Sequence, residues 1–232
     1  MASIFTIAKE GLMTYPSRPF FIAALIAAFV APVSLPAQAD PLPALDAFSS
    51  AWSKVDSYTC KIVTHETKDS STQDRTYGYE YLKPHFAKIS IDSGPGHGGG
   101  ATWHGGDTVS GHQGGLLRGI HLTVSIHDGR ATSLRGDTMD TAAFQYLLDY
   151  YRGNDAHATQ AAGPAVDGAP TDEIVLTDLD PTKTGGVTRD LLLISTKTHL
   201  PVERQRFAGS ALVKSEHYID VALNPGLKES DF

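Results

Sequence analysis

Cysteine is nearly absent: Cys60 is alone among 232 residues, so the chain cannot close a disulfide within itself. Small exported domains often use disulfides as staples, and without one this chain has to rely on its core. A long hydrophobic run is missing too. The longest apolar stretch, residues 20–33 (FFIAALIAAFVAPV), is shorter than the roughly 20 residues needed to span a bilayer core. Basic charge is scarce, with 19 Lys and Arg against 26 Asp and Glu. That balance argues against nucleic acid, which is bound by neutralising phosphates, and against adsorption to anionic lipid head groups. Neither a phosphate-cradling G-x-x-x-x-G-K-[ST] loop nor a G-x-S-x-G nucleophile elbow occurs. No combination of nucleophile, base and orienting group stands out, so the chain reads as a non-enzyme with no cofactor.

What is present begins with a leader. The apolar run ends in Ala37-Gln38-Ala39, a small-x-small pattern, so residues 1–39 are expected to be a signal peptide cut before Asp40. An uncleaved anchor over Met13 to Val33 would be interrupted by Pro16, Arg18 and Pro32, and Met13 is an alternative start. No Cys follows the run, so a lipid-modified amino terminus is not expected. The expected location is the periplasm of a Gram-negative envelope. Without Lys9, Arg18 and Glu10, residues 40–232 hold 17 basic and 25 acidic residues, a formal charge of −8, and form one domain.

Periodicity outlines the fold. Leu42, Leu45, Phe48, Trp52 and Val55 recur every three or four residues, which predicts an opening amphipathic helix. Period-two segments at 57–67 and 75–82 predict a hairpin around the polar turn KDSSTQD, and 86–91 predicts a third strand. The glycine-rich 94–115 predicts a short strand pair in tight turns, whereas 116–128 has no clear pattern. Thr141–Arg152 predicts a second helix, with Phe144, Leu147, Leu148 and Tyr151 on one face. Residues 153–170, rich in Ala and Gly, read as a surface connection. Four strands follow at 172–179, 188–195, 201–207 and 211–221. The class is α+β, mainly β: an antiparallel sheet curved around amphipathic helices.

The last third carries a resemblance. Leu200-Pro201, Tyr218, Asp220-Val221, Leu223-Asn224-Pro225-Gly226-Leu227 and Phe232 stand in the order Y-x-D-V-x-L-N-P-G-L-x-x-x-x-F, after an L-P step. With Lys83-Pro84 and Gly106 to Val109, this resembles the LolA-like superfamily, the periplasmic outer-membrane lipoprotein carrier-like proteins. The chain stops at Phe232, about where a carrier would continue in further strand-forming residues, and 94–115 is longer than that family's pattern. The resemblance implies an open half-barrel, wrapped around two or three helices that can shift, with an apolar inner face that takes acyl chains. The ligand would be a lipid or an acylated lipoprotein, exchanged with membrane-bound donor and acceptor proteins, and the carrier a monomer. The inward set would be Trp52, Tyr58, Ile62, Tyr79, Tyr81, Phe86, Ile89, Ile91, Phe144, Leu148, Leu193 and Phe207. For each of these, ordinary core packing is the simpler account.

Two other readings stay open. One is an envelope sensor or interaction module on the same fold. The other is a metal-binding protein using His97, His104, His112, His121 and His127, with Asp107 as a carboxylate partner. The histidine spacings match no H-x-H, H-x₃-H or HExxH pattern, and solvated loop histidines are the simpler account.

Overall fold

The computed structural model describes residues 41–232; the expected leader lies outside them. Helix α1 (Pro43–Trp52) starts on Pro43, where the missing N–H would have had no partner in the helix anyway. Strands β1 (Ser57–Lys68), β2 (Ser71–Leu82), β3 (Phe86–Ser93), β4 (Gly100–Trp103), β5 (Thr108–His112) and β6 (His121–Ser125) run as a meander. Helix α2 (Phe144–Gly153) follows, and then β7 (Ala158–Val166), β8 (Ala169–Leu176), β9 (Arg189–Ser195), β10 (Pro201–Ala208) and β11 (Ala211–Leu223). The eleven strands form one open antiparallel sheet in the order β6-β5-β4-β3-β2-β1-β11-β10-β9-β8-β7.

That order dictates where the helices go. β6 and β7 are consecutive in the chain yet form the two opposite edges of the sheet. The segment between them, 126–157, therefore crosses from one edge to the other, and it carries α2 and a strap of residues, 126–143. The helices cover the face that the apolar alternation leaves bare. Tyr58, Phe48, Phe144, Leu147 and Tyr151 have no exposed surface there. The ring of Phe144 stacks on Tyr58, with centroids 4.4 Å apart and planes 7° apart, and Trp52 meets both rings edge-on. Burying each such side chain contributes about 1.5–3 kcal/mol, and the aromatic geometry adds a little more.

Several expectations are refined by the structure. The β1–β2 turn shrinks to Asp69 and Ser70, because Lys68 pairs with Ser71 and both strands run on through polar residues. Residues 153–170 are no surface connection: most of them form β7 and the tight turn into β8. Asp167 (φ 49°) and Gly168 (φ 77°) occupy that turn, the left-handed pair that a two-residue hairpin favours. The unassigned 116–128 contains β6, and α2 begins at Phe144, after a 3₁₀ turn at Met139–Ala142. The LNPGL stretch has a local task. Asn224 Oδ1 accepts hydrogen bonds from the amides of Asp56 (2.7 Å) and Ser57 (3.2 Å), tying the end of β11 to the start of β1.

Candidate functional site

Alternation along β1 sends Tyr58, Cys60, Ile62, Thr64 and Glu66 to the helix-covered face, and all five are buried. The list runs from aromatic to apolar to charged, and the neighbouring strands repeat that gradient. Beside Glu66 lie Lys214 and Glu216 of β11, then Arg204 and Arg206 of β10, then Asp190 of β9, each no more than 8% exposed. The inner face is therefore apolar in one part and ionic in the other.

The ionic part is a network in which almost every charge has an opposite partner. Arg204 grips Asp190 with Nε (3.1 Å) and Nη2 (2.7 Å), and the hydroxyl of Tyr151 donates to the same carboxylate at 2.7 Å. Lys214 Nζ lies 2.8 Å from Glu66, 2.8 Å from Asp137 and 3.0 Å from Glu216. Asp137, on the strap, also takes a two-pronged grip from Arg206, with Nη1 donating at 2.8 Å and Nη2 to the other oxygen. Burial acts to raise the Asp137 carboxyl but is outweighed by Lys214 and Arg206, which hold it well below the usual carboxylate range. Further contacts fix the strap to the sheet: the Leu134 amide donates to Glu66 (2.9 Å), Arg135 to the Thr67 carbonyl (2.7 Å) and Tyr79 to the Met139 carbonyl (3.2 Å).

Beneath the strap lies a cavity of about 140 Å³. Ile62, Tyr77, Ile89, Ile91 and Ala101 form its floor, and Ala131, Met139 and Ala142 of the strap its roof. Glu66, Arg75, Asp137, Lys214 and Glu216 close one end. A smaller cavity of about 80 Å³, bordered by Val109, Leu122 and Val124, shares Ala101, His112 and Arg130 with it and continues toward the β6 edge. An apolar hollow of about 150 Å³ in another protein is large enough for benzene. Several threonines also line the cavity, and His112 and Arg130 add polar groups on its β6 side, so the hollow is mixed in character, as an amphiphile requires.

The expected inward set divides three ways. Ile62, Ile89 and Ile91 line the cavity. Trp52, Tyr58, Tyr79, Tyr81, Phe144 and Leu148 belong to the packed core beside it. Phe86, Leu193 and Phe207 do not face inward. Phe86 alternates with the inward Ala87 and Ile89 and meets His104 and Phe232 on the other side. Leu193 alternates with Leu192 and Ile194, and Phe207 lies under the Arg189 guanidinium at 3.9 Å. A register shift after Arg206 and three charged neighbours hid the phase of β10. The sequence reading did not find the ionic band. The period-two spacing of Arg204 with Arg206 and of Lys214 with Glu216 was available, but charged residues in alternation read as solvent-facing.

His112 and His121 bring their rings to 5.2 Å between centroids. Among the described residues, no three His, Cys, Asp or Glu side chains converge as a metal site. Cys60 is buried, and burial pushes its thiol up to about 12.

No family model and no curated protein matches the chain. Among solved structures, a DUF1329 family protein from Desulfovibrio piger overlaps 82% of this chain and 95% of its own, at 12% identity and a TM-score of 0.44. A putative outer membrane lipoprotein-sorting protein domain from Vibrio parahaemolyticus overlaps 81% and 94%, at 13% identity and a TM-score of 0.41. A LolA superfamily protein from Nitrosomonas europaea overlaps 82% and 96%, at 11% identity and a TM-score of 0.40. Likeness of this degree says nothing about a ligand.

Proposed function

We propose that this chain is an exported binder or carrier of a lipid-like, acyl-bearing ligand, held without catalysis between the sheet and the strap. The observation behind this reading is the cavity of about 140 Å³, with an isoleucine floor and an alanine and methionine roof set among charged and hydroxyl groups. Each methylene moved from water into such a lining gains about 0.8 kcal/mol, enough for capture while still permitting release. A chain longer than a few carbons needs the strap to lift. The strap is fastened both by polar contacts at Asp137, Leu134 and Arg135 and by Ile126 and Met139 in the core. The polar contacts are the part that a charged head group can exchange. Export follows from the leader at 1–39, leaving 40–232 as the mature domain of the envelope.

Native mass spectrometry of the 40–232 protein recovered from the periplasm tests this directly. The expected result is added mass matching an acyl lipid or lipopeptide, lost on delipidation. A bare protein mass, with no stabilisation by added acyl ligands, would remove the carrier reading and leave the fold intact.

A further inference from the structure

A second pocket, of about 250 Å³, lies on the far side of Asp137, and Asp137 is the one residue that borders both it and the inner cavity. Its walls carry four cations, Arg135, Lys183, Arg204 and Arg206, against two carboxylates, Asp137 and Asp190. The pocket is thus cationic in a chain that is acidic as a whole. Both carboxylates are already engaged, Asp190 by Arg204 and Asp137 by Arg206 and Lys214. Yet donors are left over. Arg206 Nε is buried and has no partner, an unfavourable state for a donor in a folded protein. Lys183 is largely exposed, with its nearest carboxylate oxygen 3.9 Å away.

The remaining wall is aromatic. Tyr146 and Tyr150, one turn apart on α2, stack with centroids 5.8 Å apart and planes 9° apart, and both border the pocket. Burial pushes the Tyr150 phenol up to about 12, so its hydroxyl keeps its proton and can donate. The Arg135 and Arg204 forks are engaged, by carbonyls and by Asp190 respectively. What the opening offers is the unpartnered Arg206 Nε, the loosely held Lys183 and the phenols, with the Arg206 fork added once Asp137 yields. That set matches a tetrahedral oxyanion better than a neutral head group.

We propose that this pocket seats the phosphate head of the lipid-like ligand, with the acyl tail passing Asp137 into the inner cavity. This rests on the proposed function. Asp137 then acts as a built-in carboxylate that holds Arg206 and Lys214 until a phosphate takes its place, and its release frees the strap over the tail site.

Three probes separate the parts: oleoyl lysophosphatidic acid, monooleoylglycerol with the same tail but no charge, and glycerol 3-phosphate with no tail. Titration calorimetry on the 40–232 protein should give lysophosphatidic acid about tenfold tighter than monooleoylglycerol, a gap that narrows on Lys183→Glu. Asp137→Asn loosens the strap for both amphiphiles and also clears the phosphate's place, so it should tighten lysophosphatidic acid more than monooleoylglycerol. Lys183 is exposed and outside the core, so Lys183→Glu is expected to fold as the parent does. Equal affinities for the two amphiphiles in all three proteins would overturn the phosphate site while the tail site stands. Glycerol 3-phosphate binding that Lys183→Glu abolishes, with neither amphiphile bound, would overturn the lipid ligand and show a soluble phosphate ester instead. Failure of all three probes would remove the pocket and the cavity together.

Discussion

Asp137 and Arg206 are 69 residues apart in the chain, yet the guanidinium of one meets both carboxylate oxygens of the other. That pair, with Lys214 joining at 2.8 Å, pins the crossing strap to β10 and β11. It sits where the inner cavity ends and the cationic pocket begins, so the anchor of the strap and the border between the two hollows are the same carboxylate.

Removing that carboxylate should be costly. Asp137→Ala leaves Arg206 and Lys214 buried without their shared partner, and losing one member of a buried pair costs about 3 kcal/mol or more. In a domain of this size the melting temperature should fall by roughly 6 to 12 °C. A calorimetric scan checks it, and a change of a degree or less would mean that the strap is held mainly by its apolar roof.

The same group sets an acid limb. The Asp137 carboxyl is held low in the folded protein, so its contribution is complete above the unfolded value, near pH 4, and fades as pH falls toward the folded one. Urea titrations between pH 7 and pH 2.5 should show the parent and Asp137→Asn far apart at neutral pH and converging below about pH 4. A gap independent of pH would assign the loss to packing.

Filling the cavity separates binding from folding. Ala142, on the roof, replaced by Leu should occupy the hollow and weaken acyl-ligand or fluorescent fatty-acid binding about tenfold, with stability changed by less than about 1.5 kcal/mol. Unchanged binding would place the ligand elsewhere.

Cys60 offers a probe of global opening. Its thiol faces the core of β1 and is pushed up to about 12 by burial, so almost no thiolate exists at neutral pH. Ellman's reagent should react with it only at the rate of unfolding; a fast reaction in native buffer would show that the helices lift readily from the sheet.

Much of the architecture was written in local pattern. The stripe Leu45, Phe48 and Trp52 announced α1, and the face Phe144, Leu147, Leu148 and Tyr151 announced α2. The period-two runs announced most strands. The Asp167-Gly168 pair carried a hairpin signal for β7 and β8 as well, but the Ala- and Gly-rich stretch beside it read as a surface connection and hid it. In both cases a side-chain spacing or a backbone preference acts over a few residues, and the sequence displays it directly.

The site was another matter. Phe86 and Phe207 read as cavity residues, and the phase of each strand, fixed by bulges and by pairing across the sheet, turned them outward. Arg204, Arg206, Lys214 and Glu216 alternate as any exposed strand does, and only the crossing of 126–157 over the sheet makes their face the buried one. Composition and periodicity by themselves determined a mainly antiparallel domain and its helices, because those follow from local hydrophobic spacing. Which face the strap covers, and hence which charges lie beneath it and where a cavity remains, was decided by tertiary structure alone. Burial there depends on two sheet edges joined by one segment, a relationship between distant residues that no local pattern encodes.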